Sequence, residues 1–174
     1  MQDVIGDGAD TLALAQGFAR YAKPDYRYMF VLQGKDMYEV LHCLRVVSNS
    51  VWAVYITTLG IPRHLTTTIN LHFRVNLLEF LLNEQVDKQF DLHFLGGSPW
   101  MREVVLLAEL AQGSPGVRGI DTSTPIYMGA RGLDIAKDEY IRRPDDYFDL
   151  TFDHTMIEEN VNTYLDWAQY NASV

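Results

Sequence analysis

The chain has 174 residues, 48% hydrophobic and 21% charged, with a net charge of −9, a composition that excludes disorder, collagen-like repeats and low complexity. Its single cysteine excludes a disulfide within the chain and a cysteine-rich zinc site, and the acidic balance argues against indiscriminate nucleic-acid binding. The longest strongly apolar run, around Val104–Leu110, contains Glu109, and no basic stretch with an apolar core opens the chain. A soluble cytoplasmic protein with no membrane span or secretion signal is therefore expected.

Taken in chain order, the pattern alternates between short β-rich runs and amphipathic helices. Asp10 is placed to cap a helix through Tyr21, and Tyr28–Leu32 reads as a strand. Asp36 and Glu39 have capping-box spacing before Val40, Leu41 and Leu44. A second strand is expected over Trp52–Thr58. Asn70 is placed to start a helix carrying Leu71, Leu77, Leu78, Leu81 and Leu82, and Asp91–Leu95 forms the next strand. Ser98 followed by Pro99 predicts an N-cap with proline at the first helical position, opening a helix to about Ala111. Val117–Asp121 is the last strand. Thr155 and Glu158 then start a C-terminal helix over about 155–169, with Ile157, Val161, Tyr164, Leu165 and Ala168 on its apolar face.

Strand–helix alternation of this kind predicts right-handed crossovers and a parallel sheet. The expected strand ends, Asp3, Gln33, Gly60, Gly96 and Asp121, lie 25 to 36 residues apart, which suits successive βα units. In parallel α/β folds, chemistry sits at these carboxyl ends. Here they supply two carboxylates, an amide and several glycines that let a ligand approach backbone N–H groups. The same residue types also serve as ordinary turn formers.

Several segments resemble tRNA-guanine transglycosylases. Met29-Phe30-Val31-Leu32-Gln33-Gly34 is similar to that family's strand ending in Val-Gln-Gly, and Thr58-Leu59-Gly60-Ile61-Pro62 occupies the place of its glycine-rich strand end. His93-Phe94-Leu95-Gly96-Gly97 is similar to its Leu-Met-Gly-Val-Gly strand. Gly119-Ile120-Asp121-Thr122-Ser123-Thr124-Pro125 resembles the strand bearing the nucleophilic aspartate. The likeness is nearer to short phage-encoded relatives that act in 7-deazaguanine modification of DNA than to the bacterial tRNA enzymes.

The resemblance implies parallel βα units of a TIM-barrel type, about five of them in one partial barrel domain over residues 1–174. It implies base exchange on nucleic acid, DNA in preference to tRNA, with a free 7-deazapurine as the incoming base and no cofactor. Asp121 takes the role of nucleophile. Asp3, with Asp7 as its rival in register, and Gln33, Gly34, Gly60, Gly96 and Gly97 become the base-binding set. Gln33 suits this because its amide both donates and accepts. Arg63, His64, Arg131, Arg142 and Arg143 become candidates for phosphate contacts, since guanidinium groups bind phosphate in a forked geometry.

Two departures accompany the likeness. The family's zinc site, three cysteines and a histidine, has no counterpart, because Cys43 is the only cysteine. Met1–Asp7 resembles the fourth strand of the family's barrel, so the first three strands and the acid/base aspartate lack counterparts as well. A complete barrel takes about 250 residues. Either the chain is a fragment, or the expected partner is an N-terminal half-barrel chain or a second copy. Competing readings are a non-catalytic relative that binds a 7-deazapurine or a protein, and a small hydrolase using the same carboxylates on a sugar. His93 and Cys43 are expected to be core residues, and the aromatic clusters Tyr26–Phe30 and Tyr147–Phe152 to pack helices on strands.

Overall fold

A computed structural model describes residues 8–23, 25–51, 53–140, 152 and 154–169. Within it the chain forms two compact units. One contains the chain up to Leu95 together with Gly113–Ile120, and the other contains Gly96–Gln112 and the chain from Asp121 onward.

The first unit is a four-stranded parallel sheet. Its strands β1 (Tyr28–Val31), β2 (Ile56–Pro62), β3 (Asp91–Leu95) and β4 (Val117–Ile120) stand side by side in chain order. Preceding and joining them are helices α1 (Gly8–Ala19), α2 (Met37–Ser48), α3 (His64–Thr68) and α4 (Phe73–Asn83). Crossovers that step the same way, β1 to β2 to β3, put their helices on one face of the sheet when they are right-handed.

The burial pattern follows from this arrangement. Parallel partners share a face, so the register Phe30↔Leu59 and Leu59↔Leu92, with Ile61↔Phe94, lines up one row of apolar side chains. All five are buried. Val40, Cys43, Leu44 and Val47 form the buried stripe of α2, and Phe73, Leu77, Leu78 and Leu81 that of α4. The opposite face carries Met29, Val31, Thr58, His93 and Leu95, none of them fully buried, with Met29 46% exposed. His93 thus belongs to this half-open face and not to the core. Cys43 is a core residue as expected, and burial pushes its thiol pKa up, which keeps it protonated and unreactive.

The α2 start follows the sequence closely. Asp36 Oδ1 accepts the Glu39 N–H at 2.8 Å, and Glu39 Oε2 reaches back to the Lys35 N–H at 2.9 Å. The second strand departs from expectation. Ala53–Tyr55 is a short 3-10 turn, entered through a turn in which the Ala53 N–H donates to the Ser50 carbonyl at 3.0 Å, so β2 begins at Ile56 and runs on to Pro62. Pairing of Ile61 with Phe94 and Pro62 with Leu95 carries it past the expected end, and Gly60 lies inside the strand. Likewise Asp10 falls within α1, which already starts at Gly8. Asn70 makes an Asx turn to the His72 N–H at 2.9 Å ahead of α4, rather than capping the helix itself.

The second unit is helical: α5 (Met101–Ala111), α6 (Thr124–Ala130) and α7 (His154–Gln169), with α7 packed on both α5 and α6. Ser98 Oγ accepts the Trp100 N–H at 3.1 Å, so the Ser-Pro pair turns the chain one residue before α5 instead of forming its first turn. Thr155 likewise lies inside α7, one residue past its start. The short α6 is additional to the expected elements, and it too carries a proline in its first turn, Pro125. The buried stripe of α7 is Asn160, Tyr164 and Trp167, while Leu165 is exposed. Asn160 holds that place because Oδ1 accepts the Ile135 N–H at 2.9 Å and Nδ2 donates to the Leu133 and Pro125 carbonyls at 2.8 and 3.3 Å.

Candidate functional site

In the sheet unit, Gln33 and Gly34 follow β1 and lead into the capped start of α2. Leu32 extends the strand pairing by donating its N–H to the Gly60 carbonyl at 2.9 Å. Gln33 is half-buried, and its Oε1 is buried without a hydrogen-bond donor among the described residues. A ligand N–H is the natural complement of such an oxygen, because burying an unmet acceptor is costly. Gly34 is glycine for packing: a methyl group there would lie 2.6 Å from the Val40 nitrogen and 2.9 Å from Glu39 Cβ. The capping box and this contact together fix the chain immediately after Gln33.

Gly60 sits on the half-open face, where an added methyl would meet Leu95 Cδ1 at 2.8 Å and Met29 Sδ at 3.2 Å. Arg63 follows β2 and donates its N–H to the Leu95 carbonyl at 2.8 Å. His64 opens α3, half-buried, and burial pushes its imidazole pKa below the ordinary value, so it is neutral at pH 7. Sequence patterning gave no sign of Arg74. It is fully buried on α4, with its guanidinium 5.7 Å from the Phe94 ring centroid and Nη1 3.5 Å from the Leu95 carbonyl. An arginine on an otherwise apolar helix face is the one signal that would have marked it.

In the helical unit, Gly96, Gly97 and Asp121 come together. The Gly96 N–H donates to Asp121 Oδ1 at 2.5 Å, and the Gly97 N–H donates to the Asp121 carbonyl oxygen at 2.5 Å. Gly96 has φ of 72°, the left-handed region that favours glycine. Gly97 is buried, and a side chain on it would run into the Tyr164 hydroxyl and Thr122 Cβ. Thr122 is held in turn, its Oγ1 accepting the Thr124 N–H at 3.1 Å. Asp121 itself is exposed. The result is a carboxylate oriented by a backbone N–H on a loop whose path is fixed by packing. A charge-assisted bond of this sort is stronger than a neutral one.

The remaining expected residues fall elsewhere. Arg131 is exposed at the C-cap of α6, where a cation complements the carbonyl end of the helix. Asp3, Asp7, Arg142 and Arg143 lie outside the described residues, as does the expected Met1–Asp7 strand. Among the described residues no cluster of three or more His, Cys, Asp or Glu side chains is arranged to hold a metal ion. No helix among them is long and apolar enough to cross a membrane.

The fold and these strand-end residues define an α/β protein with a four-stranded parallel sheet and a backbone-anchored aspartate directly after the last strand. The chain matches no protein-family model, no curated protein and no solved structure.

Proposed function

We propose that this chain is a guanine transglycosylase-like protein that exchanges a base in nucleic acid, with Asp121 as its nucleophile. The observation that carries the reading is the Gly96 N–H bond to Asp121 Oδ1, which orients an exposed carboxylate at a strand end. The side-by-side order of the four parallel strands, with one face apolar and buried, supports βα units of a barrel type.

In this mechanism the Asp121 carboxylate attacks C1′ of a deoxynucleoside as the C1′–N bond to the original base breaks. The departing base takes the bonding electrons and a proton, and a glycosyl ester of Asp121 remains. The nitrogen of an incoming 7-deazaguanine-type base then attacks C1′, releases the carboxylate and loses its proton. Gln33 Oε1 would accept an N–H from the base edge; Asp3, Gly34, Gly60, Gly96 and Gly97 are the other residues that the resemblance assigns to base binding. Arg63, Arg131, Arg142 and Arg143 hold backbone phosphates. DNA is the substrate in preference to tRNA, and the target base leaves its stack or comes from a single strand. An N-terminal half-barrel chain or a second copy supplies the remaining strands.

Incubation with single-stranded DNA and a competing 7-deazaguanine, followed by mass spectrometry, tests this. A covalent DNA adduct on Asp121, absent in Asp121→Ala, is expected. Full base exchange by Asp121→Ala would reject the mechanism. Base binding without an adduct, unchanged in Asp121→Ala, would replace it by a non-catalytic base-binding protein.

A further inference from the structure

We propose that Tyr164 is the positioning residue for Asp121, acting through the Gly96–Gly97 loop; the inference rests on the reading of Asp121 as nucleophile. Asp121 receives two consecutive backbone N–H groups, Gly96 on its side chain and Gly97 on its carbonyl, both at 2.5 Å. Their direction depends on where the loop lies. Gly96 allows the left-handed bend, but a residue free to adopt φ of 72° is also free to leave it. Something must therefore hold the next residue in place.

That something comes from α7. The Tyr164 hydroxyl and Thr122 Cβ occupy the space into which a side chain at Gly97 would project, so the loop is packed closely against them. Tyr164 is only 5% exposed, and its ring lies 5.7 Å from that of Trp167, so this contact has little freedom. Thr122 is tied to Thr124 and follows Asp121 directly. The side-chain face of Gly97 is thus closed off by α7 and by the residue that follows Asp121. Tyr164 is too deep to touch a substrate at the exposed face of Asp121; it sets the angle from which the carboxylate attacks.

Tyr164→Phe tests this, because it keeps the ring and its packing on Trp167 while removing the oxygen that bears on Gly97. Adduct formation at saturating base should slow about tenfold, the scale expected for a small misalignment of a nucleophile. The base concentration giving half the maximal rate should stay unchanged. Amide exchange at Gly96 and Gly97 in the folded protein should quicken while the global denaturation midpoint stays within experimental error. Unchanged adduct rate with unchanged Gly96 and Gly97 exchange would overturn the proposal. A raised half-saturating concentration at unchanged maximal rate would also overturn it, since that marks a base contact. The exchange measurement needs no activity, so it reports on this packing even if Asp121→Ala retains base exchange and the functional reading falls.

Discussion

Asn160 Oδ1 accepts the backbone N–H of Ile135 at 2.9 Å, deep in the helical unit. Asn160 is 1% exposed, and the same amide donates to the Leu133 and Pro125 carbonyls. One side chain therefore bonds three backbone groups, two in the segment that leaves α6 and one in the first turn of α6. Leaving a buried group unmet costs roughly 1–3 kcal/mol, so Asn160→Ala should destabilise by about 3 kcal/mol or more, read as a lower urea midpoint. Asn160→Asp keeps the acceptor for Ile135 but turns oxygen toward two carbonyls. It should also be destabilised, and less so at pH 4 than at pH 7, where the carboxylate is charged.

Two glycines should respond to alanine in opposite directions. Gly17 lies in α1 with nothing within 4 Å of an added methyl, so Gly17→Ala should stabilise by about 0.5–1 kcal/mol through reduced chain entropy. Gly97→Ala forces a methyl onto Tyr164 and Thr122 and should destabilise by about 1–3 kcal/mol, the usual range for overpacking. Thermal denaturation of both variants measures the contrast. Equal, neutral effects would show that the Gly97 loop is looser than its packing implies.

His64 should make stability fall in mild acid. Burial disfavours the imidazolium, so the folded pKa lies below its ordinary value of 6.5. The unfolded chain then takes the proton first as pH drops, and linkage makes folding less favourable from pH 6.5 downward until the folded imidazole also protonates. Urea midpoints measured from pH 7.5 to pH 5 should decline, and His64→Gln should flatten that decline. An identical slope in the variant would place the titrating group elsewhere.

The cap of α2 offers a local test beside the expected base site. Asp36→Ala removes the acceptor of the Glu39 N–H and should cost about 1 kcal/mol. Because the same turn fixes the chain after Gln33, amide exchange at Gly34 and Lys35 should rise in that variant. Asp36→Asn, which also caps well, should restore most of both.

How much was legible in advance follows the range of the interaction involved. The Asp36–Glu39 box spans four residues, and its geometry follows from those residues alone. Gln33 and Asp121 were placed by strand patterns and by resemblance, and both occupy the loops directly after β1 and β4. Asn160 was invisible because a polar residue on a helix reads as solvent-facing until its partners are known, and Arg74 was marked only by the apolar face around it. Leu165 was misplaced because the buried stripe of α7 runs through Asn160, Tyr164 and Trp167, and Leu165 falls off it.

The sequence by itself determined the alternation of strands and helices, the parallel sheet and the capped start of α2, because these depend on side-chain periodicity and short-range hydrogen bonds. The tertiary structure decided where β2 begins and ends, since pairing with β1 reaches Gly60 and pairing with β3 carries the strand on to Pro62. It decided that His93 lies on a half-open face, because the helices cover the other side of the sheet. It also decided what constrains Asp121: a loop packed against a tyrosine from the last helix, a contact between distant residues that no local pattern encodes.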